Sequence, residues 1–420
     1  MLRHFGKSDE ELTKELSEML ISNGYTFDYI SDNQIKNLQV SEQMIRTNDT
    51  DYKILIIPKC EYIPLQTMQK ILGMVEEGAA VVLQDGFPQN VPGLYNLKDR
   101  QDSYDELIKD ISFVNQEKYE ISKIKDGKIL KGKDIKTVLA AANVYPESMV
   151  NSGLWFNRVK REEGSCYFIS NWGYDDLDQW IDLNSSGKDA VWFNPMNKNY
   201  GRARTKKINN DQSKVHIQLD KGKSLILQFY SVEQNIEEYP IFEKTDDILA
   251  LGGEWTLEFL KGGPTLPESY VTIELKSWTT HSDELKWFSG TVRYNTMFEL
   301  TSIDAPAYLL DLGEVFSSAV VYLNGEKMET LVGPEFQLTV KADMLQQRNT
   351  LEIDVTNLMA NRIIDLDKRG INYKKFYNIN FAARKRENVG PDGLFTAKDW
   401  EPLESGLLGP VTITALKYNN

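Results

Sequence analysis

The run WFSGTVRYNTMFEL (residues 287–300), a short polar break, and AYLLDLGEVFSSAVVYLNGEK (residues 307–327) decide the fold class. Apolar residues recur through it with the period of two that a half-buried strand requires. Val292, Tyr294, Phe298 and Leu300 share one face of a first strand, Tyr308, Leu310 and Leu312 one face of a second, and Ala319, Val321 and Leu323 one face of a third. Asn324-Gly325 then supplies two residues that tolerate positive φ, as a two-residue hairpin turn demands. The pattern predicts an antiparallel β-sandwich, with the aromatic residues Trp278, Trp287 and Phe288 just before its first strand.

The alternation continues outward from this stretch. Upstream, ALGGEWTLEFLKGGP (residues 250–264) reads as a strand flanked by glycines, after the linker-like SVEQNIEEYP (residues 231–240). Downstream, Phe336, Leu338 and Val340 share a face, Leu351, Ile353 and Val355 share another, and GPVTITAL (residues 409–416) closes the set. These strands suffice for a jelly-roll sandwich.

Between the last two strands runs a long irregular excursion, residues 358–407, of a length that is uncommon unless it binds something or covers a neighbour. Asp365, Asp367 and Gly370 match positions one, three and six of an EF-hand loop, but Arg369 and Phe376 stand at positions five and twelve, where ligands are needed. No motif therefore supports a structural calcium, and no cofactor is expected. Asn361, Arg362, Asp365 and Asp367 have two readings: an internal arginine–carboxylate network, or contact with a glycan or a partner domain. Trp278, Trp287 and Trp400 join them as candidates for carbohydrate or interdomain contact, because an indole stacks on the apolar face of a sugar.

Residues 1–115 alternate helical and strand signals. Ser8 and Glu11 form a capping box before the stripe Leu12, Leu16, Met19 and Leu20, and Asn23-Gly24 ends that helix. Tyr25 to Ile30, Lys53 to Ile57 and Ala79 to Leu83 read as strands, with a helix opened by Pro64 and closed by Gly78 between the last two. The order predicts a small doubly wound, flavodoxin-like α/β domain. Cys60 falls just past a strand's carboxyl end, where such sheets place ligands, yet no His or Gly-rich elbow accompanies it; a half-buried side chain is the plainer reading. Residues 116–232 then read as a small all-β sandwich, beginning with a hairpin at Asp126-Gly127. Its aromatics, Trp155, Phe156, Tyr167, Trp172, Trp180, Trp192 and Phe193, suit either a core or a sugar platform, with alternation placing most of them on one face. Asp175, Asp176 and Asp178 read as a solvated loop in preference to calcium ligands. Residues 233–420 form the third expected domain.

Composition bounds the partners. A net charge of −14 repels nucleic-acid backbones, and no apolar run approaches the roughly 20 residues of a membrane-spanning helix. Two cysteines, Cys60 and Cys166, fall in different expected domains and fit neither a disulfide scaffold nor a metal knuckle. The first residues, MLRHFGKSDEEL, lack the apolar core of a signal peptide, so the chain reads either as cytosolic or as a piece of something larger.

Three segments together resemble one family, in the same order. GYTFDYISDNQI (residues 24–35) with YKILIIPKCEYIPLQTMQKILGMVEEGAAVV (residues 52–82) resembles the amidotransferase-like domain that follows the barrel in glycoside hydrolase family 106, the α-L-rhamnosidase-like enzymes. WFNRVKREEGSCYFISN (residues 155–171) with AVWFNPMNKNYG (residues 190–201) resembles that family's middle sandwich. Residues 277–300, 310–328 and 350–363 are similar to its galactose-binding-like domain, shared with the sugar-binding domain of family 2 glycosidases. The chain departs from the pattern at LVGPEF (residues 331–336) and at Met359-Ala360, where relatives carry a Trp-Pro pair.

The resemblance implies hydrolysis by carboxylates on a (β/α)₈ barrel preceding these modules, which needs roughly 250 residues. Only about 115 residues here have an α/β pattern, so no catalytic position carries over. The resemblance thus implies an accessory, non-catalytic glycosidase region that binds carbohydrate or supports an upstream barrel of the same polypeptide, in a parent protein exported to the periplasm or beyond. A purely structural packing role is the second expectation. An independent glycosidase is the third, with Glu401 and Glu404 or Asp365 and Asp367 as its acids.

Overall fold

The computed structural model describes residues 7–48, 50–333, 335–376 and 382–419, with side chains from residue 13 onward, so the Ser8 and Glu11 side chains lie outside the described residues. The chain divides into two compact units, Met1–Tyr239 and Pro240–Asn420.

The first unit opens with α1 (Lys7–Ser22), ended by Gly24 at φ 85°, whose backbone N–H and that of Tyr25 close on the carbonyls of Ile21 and Leu20. The Tyr25 to Ile30 segment, expected as a strand, joins no ladder. Tyr25 is buried there, so the segment's apolar alternation serves packing alone. Strands β1 (Leu55–Ile57) and β2 (Ala80–Leu83) flank α2 (Leu65–Glu76); α3 (Leu97–Ile108) and β3 (Val114–Gln116) follow, then the hairpin β4 (Tyr119–Ile124) and β5 (Gly127–Lys131), and α4 (Ile135–Ala141).

The sheet order is β1-β2-β5-β4-β3, with β1, β2 and β5 parallel and β4 and β3 antiparallel. The antiparallel edge departs from a doubly wound, flavodoxin-like sheet. The hairpin at Asp126-Gly127, read from sequence as opening the middle module, belongs to this first sheet. Pairing with buried β2 hides Ile129 and Leu130 on opposite faces, which a hairpin alone could not do. Val81, Leu83 and Ile129 pack with Met68, Ile71 and Val75 of α2 and Tyr104 of α3; Val82 and Leu130 pack with Leu16 and Leu20 of α1 and Val138 and Leu139 of α4. Helices therefore cover both faces, as a parallel sheet requires. Cys60 packs half-buried at the rim of this core.

A two-sheet sandwich completes the unit: β6 (Leu154–Lys160), β7 (Ser165–Asn171), β8 (Leu177–Leu183), β9 (Asp189–Phe193), β10 (Tyr200–Arg202), β11 (Thr205–Lys207), β12 (Ser213–Leu219) and β13 (Ser224–Tyr230). One sheet runs β10-β9-β13-β7-β6 and the other β8-β12-β11. Leu154, Tyr167, Ile169, Trp192, Leu227 and Phe229 from the first meet Ile181, Val215 and Ile217 from the second in one core. Burying each such side chain stabilises the fold by about 1.5–3 kcal/mol before the entropy of ordering is counted.

The second unit is a larger antiparallel sandwich. Its strands are β14 (Phe242–Ala250), β15 (Trp255–Gly263), β16 (Tyr270–Thr272), β17 (Ser289–Glu299), β18 (Ala307–Asp311), β19 (Ser318–Leu323), β20 (Glu326–Val332), β21 (Gln337–Lys341), β22 (Arg348–Thr356) and β23 (Thr412–Tyr418). They form a four-stranded sheet β14-β23-β18-β21 and a six-stranded sheet β16-β15-β17-β22-β19-β20. All ten apolar residues assigned to core faces in the deciding stretch are buried. Asn324 and Gly325 take φ of 52° and 85° in the two-residue turn between β19 and β20. The Asn324 side chain also donates to Asn349 Oδ1 (3.0 Å) and accepts from the Thr350 N–H (3.0 Å), fastening the turn to β22.

Candidate functional site

The excursion after β22 is not wholly irregular. Residues Ala360–Lys368 form helix α5, anchored by buried Ile364, and its polar residues turn inward on one another. Asn361, Arg362 and Asp365 lie within one turn or so, a spacing that brings side chains three and four apart together. Asp365 Oδ2 accepts from Arg362 Nη1 (3.0 Å) and from Arg369 Nη2 (2.7 Å). Asp367 Oδ1 meets Lys374 Nζ at 2.8 Å, and its Oδ2 accepts the Ala397 N–H at 2.7 Å. Burial, reinforced by the Asp367 charge, pushes the Tyr373 hydroxyl up to about 12.

Asn361 acts as a clamp. Its Nδ2 donates to the Leu403 carbonyl (2.8 Å) and its Oδ1 accepts the Leu403 N–H (2.8 Å), so helix and returning chain are joined in both directions. Trp400 Nε1 donates to Asn388 Oδ1 (2.8 Å), and its ring meets Phe395 edge-on. Arg362 and Asp365 thus pair with each other and with Arg369, whereas Asn361 binds the Leu403 backbone and Asp367 binds Lys374 and the Ala397 N–H. Both carboxylates are held by cations, and Glu401 and Glu404 are exposed.

The remaining candidates separate. Trp278 has no exposed surface: it packs edge-on to Phe288 in the sandwich core, so stacking on a sugar is ruled out for this ring as it stands. Alternation could not show this, because Trp278 sits in a short turn of 3₁₀ helix before the strand. Trp287 is half-buried, with Lys368 Nζ 4.6 Å and Lys286 Nζ 5.3 Å from its ring centre. Beside α5 opens a pocket of about 360 Å³, lined by Phe316, Leu358, Ala360, Leu403, Glu404 and Ser405 among others.

In the first unit two carboxylates of the 175–178 run are engaged locally: Asp178 Oδ1 lies 2.8 Å from His216 Nε2, and Asp176 Oδ1 accepts the Lys221 N–H at 3.0 Å. Among the described residues no group of three or more His, Cys, Asp or Glu is placed to hold a metal ion. No described helix is long and apolar enough to cross a membrane. The aromatics of the middle sandwich divide. Tyr167 and Trp192 are core, whereas Trp155 and Trp172 are exposed and lie side by side, 5.5 Å between ring centres. The sequence signal was the same for both sets; only the side of the sheet differs.

Comparison with known proteins gives three findings. Residues 4–203 match the family model of alpha-L-rhamnosidase glycoside hydrolases. A curated protein of Formosa agariphila named "Putative beta-glucuronidase" is 31% identical over 263 residues, covering 56% of this chain and 21% of the relative. The structure of a rhamnosidase from Novosphingobium sp. PP1Y superposes with a TM-score of 0.71 and 20% identity over 93% of this chain and 36% of that one, a likeness of fold. The chain thus spans about a fifth of the first relative and about a third of the second. It is related to the alpha-L-rhamnosidase family of glycoside hydrolases, in sequence through residues 4–203 and in fold through 93% of its length.

Proposed function

We propose that this chain serves as an accessory, non-catalytic part of a glycoside hydrolase related to the α-L-rhamnosidases, framing a catalytic barrel and contributing carbohydrate contact. In this reading the α/β layers are amidotransferase-like and the last sandwich is a galactose-binding-like jelly roll. The observation that carries it is the state of the carboxylates in the excursion. A glycosidase needs one carboxyl free to protonate the leaving oxygen and a second about 5–9.5 Å away. Asp365 is instead held between two guanidiniums, and Asp367 between an ammonium and a backbone N–H. Carboxylates engaged by these donors are not the free pair that such chemistry requires.

The same region gives α5 a supporting role: Asn361 fastens the returning chain at Leu403, and both residues line the pocket of about 360 Å³. Aryl α-L-rhamnosides incubated with the chain alone should show no turnover above background. Turnover that is abolished by Glu404→Gln or Asp365→Asn would overturn the reading.

A further inference from the structure

We propose that the outward face of β6 and β7 is a binding platform for a neutral oligosaccharide, centred on Trp155. The proposal rests on the accessory reading above and locates its carbohydrate contact on the middle sandwich of the first unit.

The two strands pair so that Trp155 stands opposite Ser170, Asn157 opposite Phe168 and Val159 opposite Cys166. On their other faces Leu154, Tyr167 and Ile169 are fully buried in the core. The outward rings are open: Trp155 is 47% exposed, Phe168 46%, and Trp172, just past β7, 72%. In an antiparallel pair the diagonal neighbours of Trp155 are Phe168 and Trp172, with backbone spacing of about 7–8 Å. Trp155 and Trp172 rings lie 5.5 Å apart at 32°. Three aromatic rings therefore occupy one continuous patch. Packing does not require them, since the core lies on the other side of the sheet.

The polar content of the patch selects the ligand. None of the six outward positions on β6 and β7 is charged, in a chain whose residues are 26% charged. A polyanion or a basic peptide would find no counter-charge here. A pyranose offers what the patch can use, an apolar ring face for the aromatics and a girdle of hydroxyls. Asn157 and Ser170 stand among the rings, and neither side chain makes a hydrogen bond to the described residues, so both are available to hydroxyls. Charge neutrality and free donors beside exposed indoles fit a neutral sugar better than a second copy of the chain, whose charged surface would have to be desolvated.

The test is calorimetric titration of the chain with neutral rhamno-, gluco-, xylo- and galacto-oligosaccharides, alongside acrylamide quenching of tryptophan fluorescence. At least one class should bind and shield the exposed indoles from the quencher in the unmutated chain. Trp155→Ala should weaken binding about tenfold or more, Trp155→Phe about threefold or less, and Asn157→Ala by an intermediate factor, as expected for one lost stacking contact or one hydrogen bond. Raising salt from about 0.05 to about 0.5 M should change affinity less than twofold, because no charges pair. Absence of binding by every class, binding indifferent to Trp155→Ala and Trp172→Ala, or self-association that those variants abolish would each overturn the platform. None of these results touches the non-catalytic reading, which fails only on turnover.

Discussion

The carboxylate of Glu147, 1% exposed, accepts a 2.6 Å hydrogen bond from Arg158 Nη1 and so joins the segment leaving the α/β layers to strand β6. The same carboxylate accepts from the Tyr167 hydroxyl (2.9 Å) and the Asn184 N–H (3.0 Å). Its backbone N–H donates to the Gly24 carbonyl at the end of α1 (2.9 Å). A Cβ at Gly24 would lie 2.3 Å from the Glu147 carbonyl, which leaves only glycine able to sit there.

Removing the Glu147 carboxylate should leave a half-buried guanidinium and a buried hydroxyl without their shared partner. Glu147→Ala is expected to cost about 2–4 kcal/mol, the lower end reflecting the partial exposure of Arg158. Glu147→Gln, which keeps an acceptor for Tyr167, should cost about half as much. Urea unfolding followed by tryptophan fluorescence measures both; a loss under about 0.5 kcal/mol for the alanine variant would refute the linkage.

At the Asn324-Gly325 turn, Asn324→Ala removes three side-chain hydrogen bonds and forces alanine to a φ of 52°. Destabilisation of about 1–3 kcal/mol is expected, with Asn324→Gly intermediate because glycine accepts the φ but not the hydrogen bonds. Equal stability of the two variants would show that the left-handed φ costs alanine nothing, and an Asn324→Gly variant as stable as the unmutated chain would show that the side-chain bonds contribute nothing.

Asp365→Asn should loosen the arginine clamp on α5 while leaving the sandwich folded. A cost of about 1–2 kcal/mol is expected for exchanging two charge-assisted bonds for neutral ones. Limited proteolysis should then cut the helix and its end, residues 360–370, faster than in the unmutated chain, and unchanged cutting would argue against Asp365 as the fastening point.

Alkaline pH should destabilise the chain through particular tyrosines. The hydroxyl of Tyr52 is pushed up to about 12 by its hydrogen bond to Asp28 and by burial, that of Tyr270 by burial, and that of Tyr373 by burial and Asp367. Because the folded values lie above the ordinary value of 10, their contribution is fully present below pH 10 and is lost as pH rises from there through 12. Absorbance titration near 295 nm should resolve tyrosines ionising near pH 12 only while the chain is folded, with melting temperature falling over the same interval. A flat melting temperature from about pH 9 to about pH 11, one unit on either side of the unfolded tyrosine value, would contradict the assignment.

Much of the larger sandwich was legible in its residues. Period-two alternation fixes which side chains share a face over six or seven residues, and Asn324-Gly325 fixes where the chain reverses, because both are local steric facts. The kinship with rhamnosidases was likewise carried by contiguous segments such as residues 155–171 and 190–201. Alternation says that Trp155 and Phe168 differ in facing from Leu154 and Tyr167, but not which set meets the core. That choice, the transfer of the 119–131 hairpin to the first sheet, the burial of Trp278 and the closing of Asp365 between Arg362 and Arg369 were decided by tertiary structure. Each depends on a partner distant in sequence or on a helix that no strand pattern announces, and burial is a property of what arrives on the other side.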